Sequence, residues 1–193
     1  MPPPANKPVL ILASASPRRR RILLDAGFRF RILLPVAAEV HWTRAPIRTA
    51  RENALRKGAG CRALHPDACI VAADTVVAFR GRCLNKPASR SQAARWLLGF
   101  SNATQRVYTG VYIARPGRRP FIRVVRSLVH FKPLTASIVR RYLQHVDPMD
   151  KAGAYDISEH GNLIIACHEG SFTNIMGLPV ETVARILRTV YPA

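Results

Sequence analysis

Residues 9–21 read VLILASASPRRRR, and this stretch decides how the chain begins to fold. A short apolar run ends at two serines, a proline and four arginines, and a helical pattern follows. The pattern predicts a buried strand over 9–13, a short loop, and a helix over 17–27 with Ser16 as its cap. Hydroxyls, free backbone N–H groups and guanidinium groups therefore meet at one helix N-terminus, a place that attracts polyphosphates.

Predicted strands and helices alternate along the rest of the chain. The strands are expected over 28–35, 68–79, 82–84, 105–114, 121–131 and 163–168. The helices are expected over 46–64, 89–99, 135–145 and 178–190. This alternation predicts an α/β fold with a mixed sheet flanked by helices. The length of 193 residues fits one domain, so we expect a flexible leader over 1–8 and a single domain over 9–193.

The composition excludes some classes of protein and favours others. No apolar run approaches the roughly 18 residues that span a bilayer, so no membrane partner is expected. The apolar part of 9–13 is also shorter than that of a secretion signal. Four cysteines occur without a C-x-x-C pair, and Cys69 and Cys167 lie in apolar runs. We therefore expect core thiols and a reducing, cytoplasmic location.

The net charge of +19 arises from 30 Lys and Arg against only 11 Asp and Glu. One interpretation is binding to nucleic acid. The other is an arginine-rich but ordinary surface around a small anionic substrate. The basic residues are spread along the chain, and the motifs of known RNA-binding modules and zinc fingers are missing. We therefore expect no specific nucleic-acid partner, only weak, salt-sensitive attraction to polyanions.

Asp74 interrupts the run IVAADTVVAF, which otherwise reads as a strand that is apolar on both faces. Burying an unpaired carboxylate is costly, so this residue is predicted to be paired, bound to a metal or charged for a purpose. A carboxylate that accepts backbone N–H bonds in a bulge is the competing interpretation.

Three further charged residues are candidates on weaker grounds. Glu39 follows an apolar segment and could supply an oxygen ligand to Mg²⁺, or it could be an exposed loop residue. Lys57 and Lys86 are two of the few lysines in a chain that prefers arginine. Either lysine could stabilise a transferring phosphate, or it could be a solvated surface amine.

The motifs taken together resemble the Maf family of nucleoside triphosphate pyrophosphatases. The blocks that match, in the order of the family, are LASASPRR (12–19), AADTVV (72–77), NKP (85–87), YTGV (108–111), MDKAGAYDI (149–157) and GLPVE (177–181). They extend over nearly the whole chain, and six ordered blocks are far more specific than any one of them.

The resemblance implies a fold similar to that of inosine triphosphatase, with two lobes, a central cleft and a homodimeric assembly. It implies Asp74 as the catalytic acid–base residue and Glu39 as its partner at a divalent metal, Mg²⁺ or Mn²⁺. The residues implied to bind the substrate are Ser14, Arg18, Arg19, Lys57, Thr75, Lys86 and Ser158.

Ser158 departs from the family pattern. The branch that acts on dTTP and UTP usually reads A-Y-G-I-Q where this chain reads Ala-Tyr-Asp-Ile-Ser over 154–158. A serine hydroxyl cannot make the two-sided contact of an amide. The resemblance therefore favours pyrimidine or modified pyrimidine nucleotides but leaves the base preference open.

We therefore expect hydrolysis of a nucleoside triphosphate to the monophosphate and pyrophosphate. In this scheme water attacks the α-phosphorus, Asp74 helps to remove its proton, and the cationic side chains stabilise the leaving pyrophosphate. The alternative is a non-catalytic protein that binds nucleotides or nucleic acid and regulates cell division. A metabolic kinase is disfavoured because the glycines of a phosphate-binding loop are missing.

Overall fold

The computed structural model describes residues 7–192, so residues 1–6 of the predicted leader lie outside the described residues. A mixed sheet of seven strands forms the centre of the fold, in the order β2-β1-β3-β5-β6-β7, with β4 paired to one end of β3. The strands are β1 (Leu10–Ala13), β2 (Arg31–Leu33), β3 (Cys69–Phe79), β4 (Arg82–Leu84), β5 (Thr104–Ala114), β6 (Phe121–Phe131) and β7 (Ile165–Glu169).

Within residues 7–192, six α-helices cover the sheet. They are α1 (Pro17–Asp25), α2 (Pro46–Leu64), α3 (Arg90–Gly99), α4 (Ala136–His145), α5 (Phe172–Ile175) and α6 (Val180–Leu187). Side-chain caps begin several of them, including the cap predicted at Ser16. The hydroxyl of Ser16 accepts from the N–H of Arg19 at 3.4 Å, and that of Thr135 accepts from the N–H of Ile138 at 3.3 Å. The predicted α/β class with a mixed, helix-flanked sheet is confirmed.

Strand β3 is exposed along part of one edge. Strand β1 pairs in parallel with its first half and ends where Ala13 lies opposite Ala72. Strand β4 pairs with its other end, starting where Val77 lies opposite Leu84. Within residues 7–192, positions 73–76 therefore have a strand neighbour on one side only, which is β5. The sheet is open at this point, and the loop after β1 and the loop after β4 lie on either side of the opening.

The alternation of side chains along β3 assigns its residues to different layers. Val71 and Ala73 belong to an apolar cluster with α1 and α6, whereas Ile70 and Ala72 belong to a cluster with α2 on the opposite face. A third cluster packs α3 and α4 against the far half of β5 and β6. The open edge of β3 lies between the first and third clusters, which correspond to the two expected lobes. By the same alternation, Asp74 points towards α2.

Three details differ from the sequence-based expectation. The strand predicted over 28–35 is limited to Arg31–Leu33, whose partners are the last three residues of β1 before the chain turns at Ser14. The helix predicted over 178–190 begins at Val180, after Pro179, and the short helix α5 precedes it. Cys167 is exposed, because β7 has no further strand beside it in the described chain.

Helix α2 approaches the sheet very closely at two glycines. A Cβ atom on Gly110 of β5 would collide with the backbone carbonyl of Ala50 in α2. A Cβ atom on Gly58 of α2 would collide with the ring of Tyr112 in β5. Gly110 also lies directly opposite Asp74. The missing side chain at position 110 therefore allows α2 to pack directly against the part of β3 that carries the buried carboxylate.

We expect Gly110→Ala to destabilise the fold by about 3 kcal/mol, since the collision is with backbone and cannot be relieved by a side-chain rotation. The measurement is the free energy of unfolding from urea denaturation. Gly99→Ala is the matched control, because a Cβ atom at this last position of α3 meets no atom within 4 Å. Equal stability of the two variants would contradict the close approach.

Candidate active site

A cleft of about 1130 Å³ opens at the unpaired edge of β3. The loop after β1, the loop before α2, one face of α2, the loop after β4 and the segment after α4 form its walls. Nine site residues were predicted from the sequence, and eight of them form part of the cleft lining: Ser14, Arg18, Arg19, Glu39, Lys57, Asp74, Thr75 and Lys86. The ninth, Ser158, does not belong to the lining of this cleft.

Asp74 is buried at the inner wall of the cleft, with 7% of its surface exposed. Its Oδ1 atom accepts a hydrogen bond of 2.6 Å from the Lys57 ammonium, and its Oδ2 atom accepts one of 3.1 Å from the amide of Asn53. The carboxylate is thus held by two side chains of α2. Side-chain pairing, one of the arrangements that the sequence left open, is the one observed.

Asn53 is a residue that sequence reasoning missed. Besides Asp74, it binds the backbone of the loop before α2, because its Oδ1 atom accepts from the Val40 N–H at 2.8 Å and its Nδ2 atom donates to the Val40 carbonyl at 3.0 Å. It lies four residues before Lys57, on the same face of the helix. The four-residue spacing between Asn53 and Lys57 is the sequence pattern that could have indicated a shared site.

Glu39 is joined to the same lysine, at 2.6 Å between Oε1 and the Lys57 Nζ atom. Its side chain is 43% exposed, so it lies at the mouth of the cleft, while Asp74 lies inside. Partial burial by itself would raise the pKa of Glu39, but the hydrogen bond and the charge of Lys57 outweigh this effect and lower that pKa from 4.5. One ammonium therefore brings together two carboxylates from different parts of the chain.

The donor atoms of this pair fit a hard divalent cation. Mg²⁺ in proteins is commonly held by one or two carboxylates together with substrate phosphates. Within residues 7–192, no group of three or more His, Cys, Asp or Glu side chains is placed to hold a metal ion. Asp74 and Glu39 could supply two oxygen ligands, and the phosphates of a ligand could supply others.

Arg19 forms the wall opposite α2. Its Nε atom donates to the Gly177 carbonyl at 2.8 Å, and its Nη atoms donate to the hydroxyls of Ser14 at 3.3 Å and Thr75 at 3.1 Å. All three acceptors are uncharged. Burial lowers the pKa of Arg19, and the charge of Asp74 opposes that effect, but an arginine stays charged in a protein. The site therefore has a fixed guanidinium whose charge these acceptors do not neutralise.

Lys86 lies across the cleft mouth, on the loop between β4 and α3, and its side chain is exposed. The neighbouring carbonyl of Asn85 accepts from the Gly153 N–H at 3.1 Å. This bond joins the loop of Lys86 to the segment after α4. The three cations Arg19, Lys57 and Lys86 thus approach the cleft from three different elements.

Arg18, which the resemblance implies as a substrate-binding residue, contacts two carboxylates in this structure. Its Nη1 atom donates to Asp156 Oδ2 at 3.1 Å and lies 3.8 Å from Asp150 Oδ2. The Oδ1 atom of Asp156 accepts from the N–H of Ser158 at 2.9 Å and from its hydroxyl at 2.6 Å. Ser158 therefore reaches the cleft only through Asp156, which the sequence did not single out.

Lys151 is a further buried cation of the cleft that sequence reasoning missed. Its ammonium lies 2.8 Å from Asp150 and 3.5 Å from Glu159. Burial lowers the pKa of Lys151, but the hydrogen bond and charge of Asp150 outweigh it and raise that pKa overall. This end of the cleft thus contains its own network of paired charges.

Comparison with known proteins gives a match along nearly the whole chain. Residues 9–190 match the family described as Maf-like protein. A dTTP/UTP pyrophosphatase of Deinococcus radiodurans is 40% identical over 186 residues, which are 96% of this chain and 95% of that protein. One of Myxococcus xanthus is 38% identical over 190 residues, covering 97% of this chain and 96% of that protein.

A third relative, the dTTP/UTP pyrophosphatase of Symbiobacterium thermophilum, is 37% identical over 187 residues, covering 95% of both chains. Among solved structures, a nucleoside-triphosphatase / dITP/XTP pyrophosphatase of Mycobacterium abscessus matches 63% of this chain and 72% of that chain. Its identity is 18% and its TM-score is 0.39, so the overlap is partial. In the part of the chain that the structure describes, no helix combines the length and the apolar character needed to cross a membrane.

The paired carboxylate at the cleft mouth predicts a specific loss of stability in acid. Because the pKa of Glu39 in the folded protein is lowered from 4.5, its ion pair stabilises the fold above that pH. This stabilisation is lost as the pH falls through the lower folded value. We expect Glu39→Gln to be less stable than the parent at pH 7, and the difference to shrink towards pH 3.

The measurement is urea denaturation of both proteins between pH 7 and pH 3. Glu52→Gln serves as the control, since Glu52 is paired with Arg56 one turn along α2, outside the cleft. A stability difference for Glu39→Gln that stays constant over the whole range would contradict the pairing with Lys57.

Proposed function

This chain belongs to the Maf-like protein family, and on that premise we propose that it hydrolyses nucleoside triphosphates to nucleoside monophosphate and pyrophosphate. The substrates proposed first are dTTP and UTP, after the names of its relatives. The observation that supports this function best is the buried carboxylate of Asp74 in the gap of the sheet, with Arg19, Lys57 and Lys86 around the same cleft.

Asp74 is suited to accept a proton from the attacking water. Lys57 and Asn53 fix both of its oxygens, so its orientation is set before the substrate arrives. The water adds to the α-phosphorus, the bond from that phosphorus to the bridging oxygen breaks, and pyrophosphate leaves. Proton transfer to a positioned carboxylate typically contributes about 10²–10⁴-fold to the rate.

The cations of the cleft would stabilise the charge that develops on the leaving pyrophosphate. Arg19 is held by Gly177, Ser14 and Thr75, and it needs no rearrangement to meet a phosphate. Lys86 approaches from the loop after β4, and its exposed side chain lines the same cleft. A divalent cation held by Glu39 and Asp74 would neutralise phosphate charge when bound.

We propose a cytoplasmic location, supported by four free cysteines, of which Cys61 and Cys69 are buried. We also propose a homodimer, which the family resemblance implies. Light scattering after size-exclusion chromatography would test the assembly, and a monomeric mass at micromolar concentration would exclude it.

The alternative function, a non-catalytic regulator that binds nucleotides or nucleic acid, is favoured by one observation, the net charge of +19. Such a protein would bind oligonucleotides with a strong dependence on salt and would not release pyrophosphate. A substrate panel of dTTP, UTP, CTP and modified nucleotides with Mg²⁺ or Mn²⁺ separates the two functions.

We expect Asp74→Asn to release pyrophosphate at least 100-fold more slowly than the parent protein. It should still fold, because Glu39 remains as a charged partner of Lys57. Asp67→Asn is the matched control, since Asp67 is exposed just before β3 and does not line the cleft. Near-parental turnover by a folded Asp74→Asn protein would reject the proposed role of Asp74.

A further inference from the structure

One ammonium lies between the two carboxylates to which the proposed function assigns a divalent cation. The Lys57 Nζ atom is 2.6 Å from Oδ1 of Asp74 and 2.6 Å from Oε1 of Glu39. Each carboxylate therefore directs one oxygen at the same positive charge. Oxygen ligands of Mg²⁺ lie about 2.0–2.1 Å from the ion. A divalent cation bound by these two oxygens would need the position of the ammonium, so the two cations compete for one place.

The other oxygen of Asp74 is less suited to a divalent cation. Oδ2 accepts the 3.1 Å bond from the amide of Asn53, a residue that is only 1% exposed. Oδ1 instead contacts Lys57, whose second partner is Glu39 at the cleft mouth. A cation that enters from the cleft therefore meets Oδ1 and the Glu39 carboxylate first, and both already bind the ammonium.

Lys57 is also the cation that can give up its place. Its charge is carried by a flexible four-carbon stem with rotatable donors, whereas Arg19 is fixed by bonds to Gly177, Ser14 and Thr75. A divalent cation has twice the charge of an ammonium, so it is attracted more strongly to two carboxylates and repels an ammonium beside it. The phosphates of a nucleotide in the same cleft offer the ammonium a new partner.

Asn53 can hold the two carboxylates in place without Lys57. Its Nδ2 atom donates to Asp74 and, at 3.0 Å, to the carbonyl of Val40, and its Oδ1 atom accepts from the Val40 N–H at 2.8 Å. Val40 directly follows Glu39. Because Asn53 is uncharged, a divalent cation does not displace it by charge repulsion. One buried amide thus fixes both the strand of Asp74 and the loop of Glu39 while the ammonium moves.

We propose that Lys57 is a placeholder cation, which is exchanged for a divalent cation at Asp74 and Glu39 if the proposed function holds. Without the divalent cation, the ammonium neutralises the two carboxylates and offsets their mutual repulsion. With it, the ammonium leaves both oxygens and binds the phosphates of the nucleotide. Lys57 therefore has two partners in succession, and Asn53 is the positioning residue that keeps Asp74 and the loop of Glu39 in place.

The first test is the binding of Mn²⁺ alone, measured by electron paramagnetic resonance. Lys57→Met should bind Mn²⁺ about tenfold more tightly than the parent protein, because a competing charge-assisted hydrogen bond is removed. Asn53→Ala should bind it about tenfold more weakly, since the carboxylates lose their support. Lys132→Met is the matched control. It loses the same charge at a lysine that bonds the Asn162 carbonyl outside the cleft, and it should keep the parental affinity.

The second test uses the parent protein and does not depend on the folding of a variant. Acetic anhydride acylates an amine in its uncharged form, which neighbouring carboxylates disfavour. We expect Mn²⁺ to raise the acylation rate of Lys57, measured by mass spectrometry, about tenfold. Lys151 is similarly buried and should keep its rate, because its partners Asp150 and Glu159 are each more than half exposed and remain hydrated.

Three results would overturn the exchange: no Mn²⁺ binding by the parent protein, equal or weaker Mn²⁺ binding by folded Lys57→Met, or bound Mn²⁺ with an unchanged acylation rate at Lys57. An equal rise at Lys151 would overturn it as well, since the added salt would then weaken both ion pairs alike. Neither measurement needs turnover. A parent protein that exchanges Lys57 for Mn²⁺ but releases no pyrophosphate would therefore reject the proposed function alone.

Discussion

The buried ion pair between Lys57 and Asp74 is the interaction on which the cleft depends. A carboxylate inside a strand that is otherwise apolar is stable only with a partner, and breaking such a pair typically costs about 3–5 kcal/mol. The partner is on α2, and α2 reaches β3 only because Gly110 leaves room for its backbone. The ion pair thereby links β3 to α2, and the same ammonium also brings Glu39 to the site.

The open edge of β3 makes this ion pair accessible from the cleft. If β1 extended by four residues, or if β4 continued beyond Leu84, positions 73–76 would pair on both sides and Asp74 would be enclosed in the sheet. Instead β1 turns at Ser14 and starts α1, so that a helix N-terminus and its arginines lie beside the gap. A carboxylate that is desolvated on its inner side but accessible from the cleft can exchange a proton with a ligand, which a fully enclosed one cannot.

The sequence predicts those features that follow from local pattern. The strand–loop–helix of 9–21 and the interruption of a strand by Asp74 are local, and both appear in the structure as expected. Features that depend on contacts between distant segments were missed. The bond from Arg18 to Asp156 joins residues 138 apart in sequence, and no pattern within either segment indicates it. Cys167 was wrongly expected to be buried, because an apolar run does not show whether its strand lies at the edge of the sheet.

The large positive charge of the chain lies mostly outside the site. Of its 11 acidic residues, five line the cleft: Glu39, Asp74, Asp150, Asp156 and Glu159. Of its 30 lysines and arginines, only five do so as well: Arg18, Arg19, Lys57, Lys86 and Lys151. The formal charges of the cleft therefore balance within a chain of net charge +19, and recognition there depends on how the charges are arranged.

The surplus positive charge on the surface acts over a Debye length of about 8 Å at physiological ionic strength. It can raise the rate at which anionic nucleotides arrive, but it cannot tell one base from another.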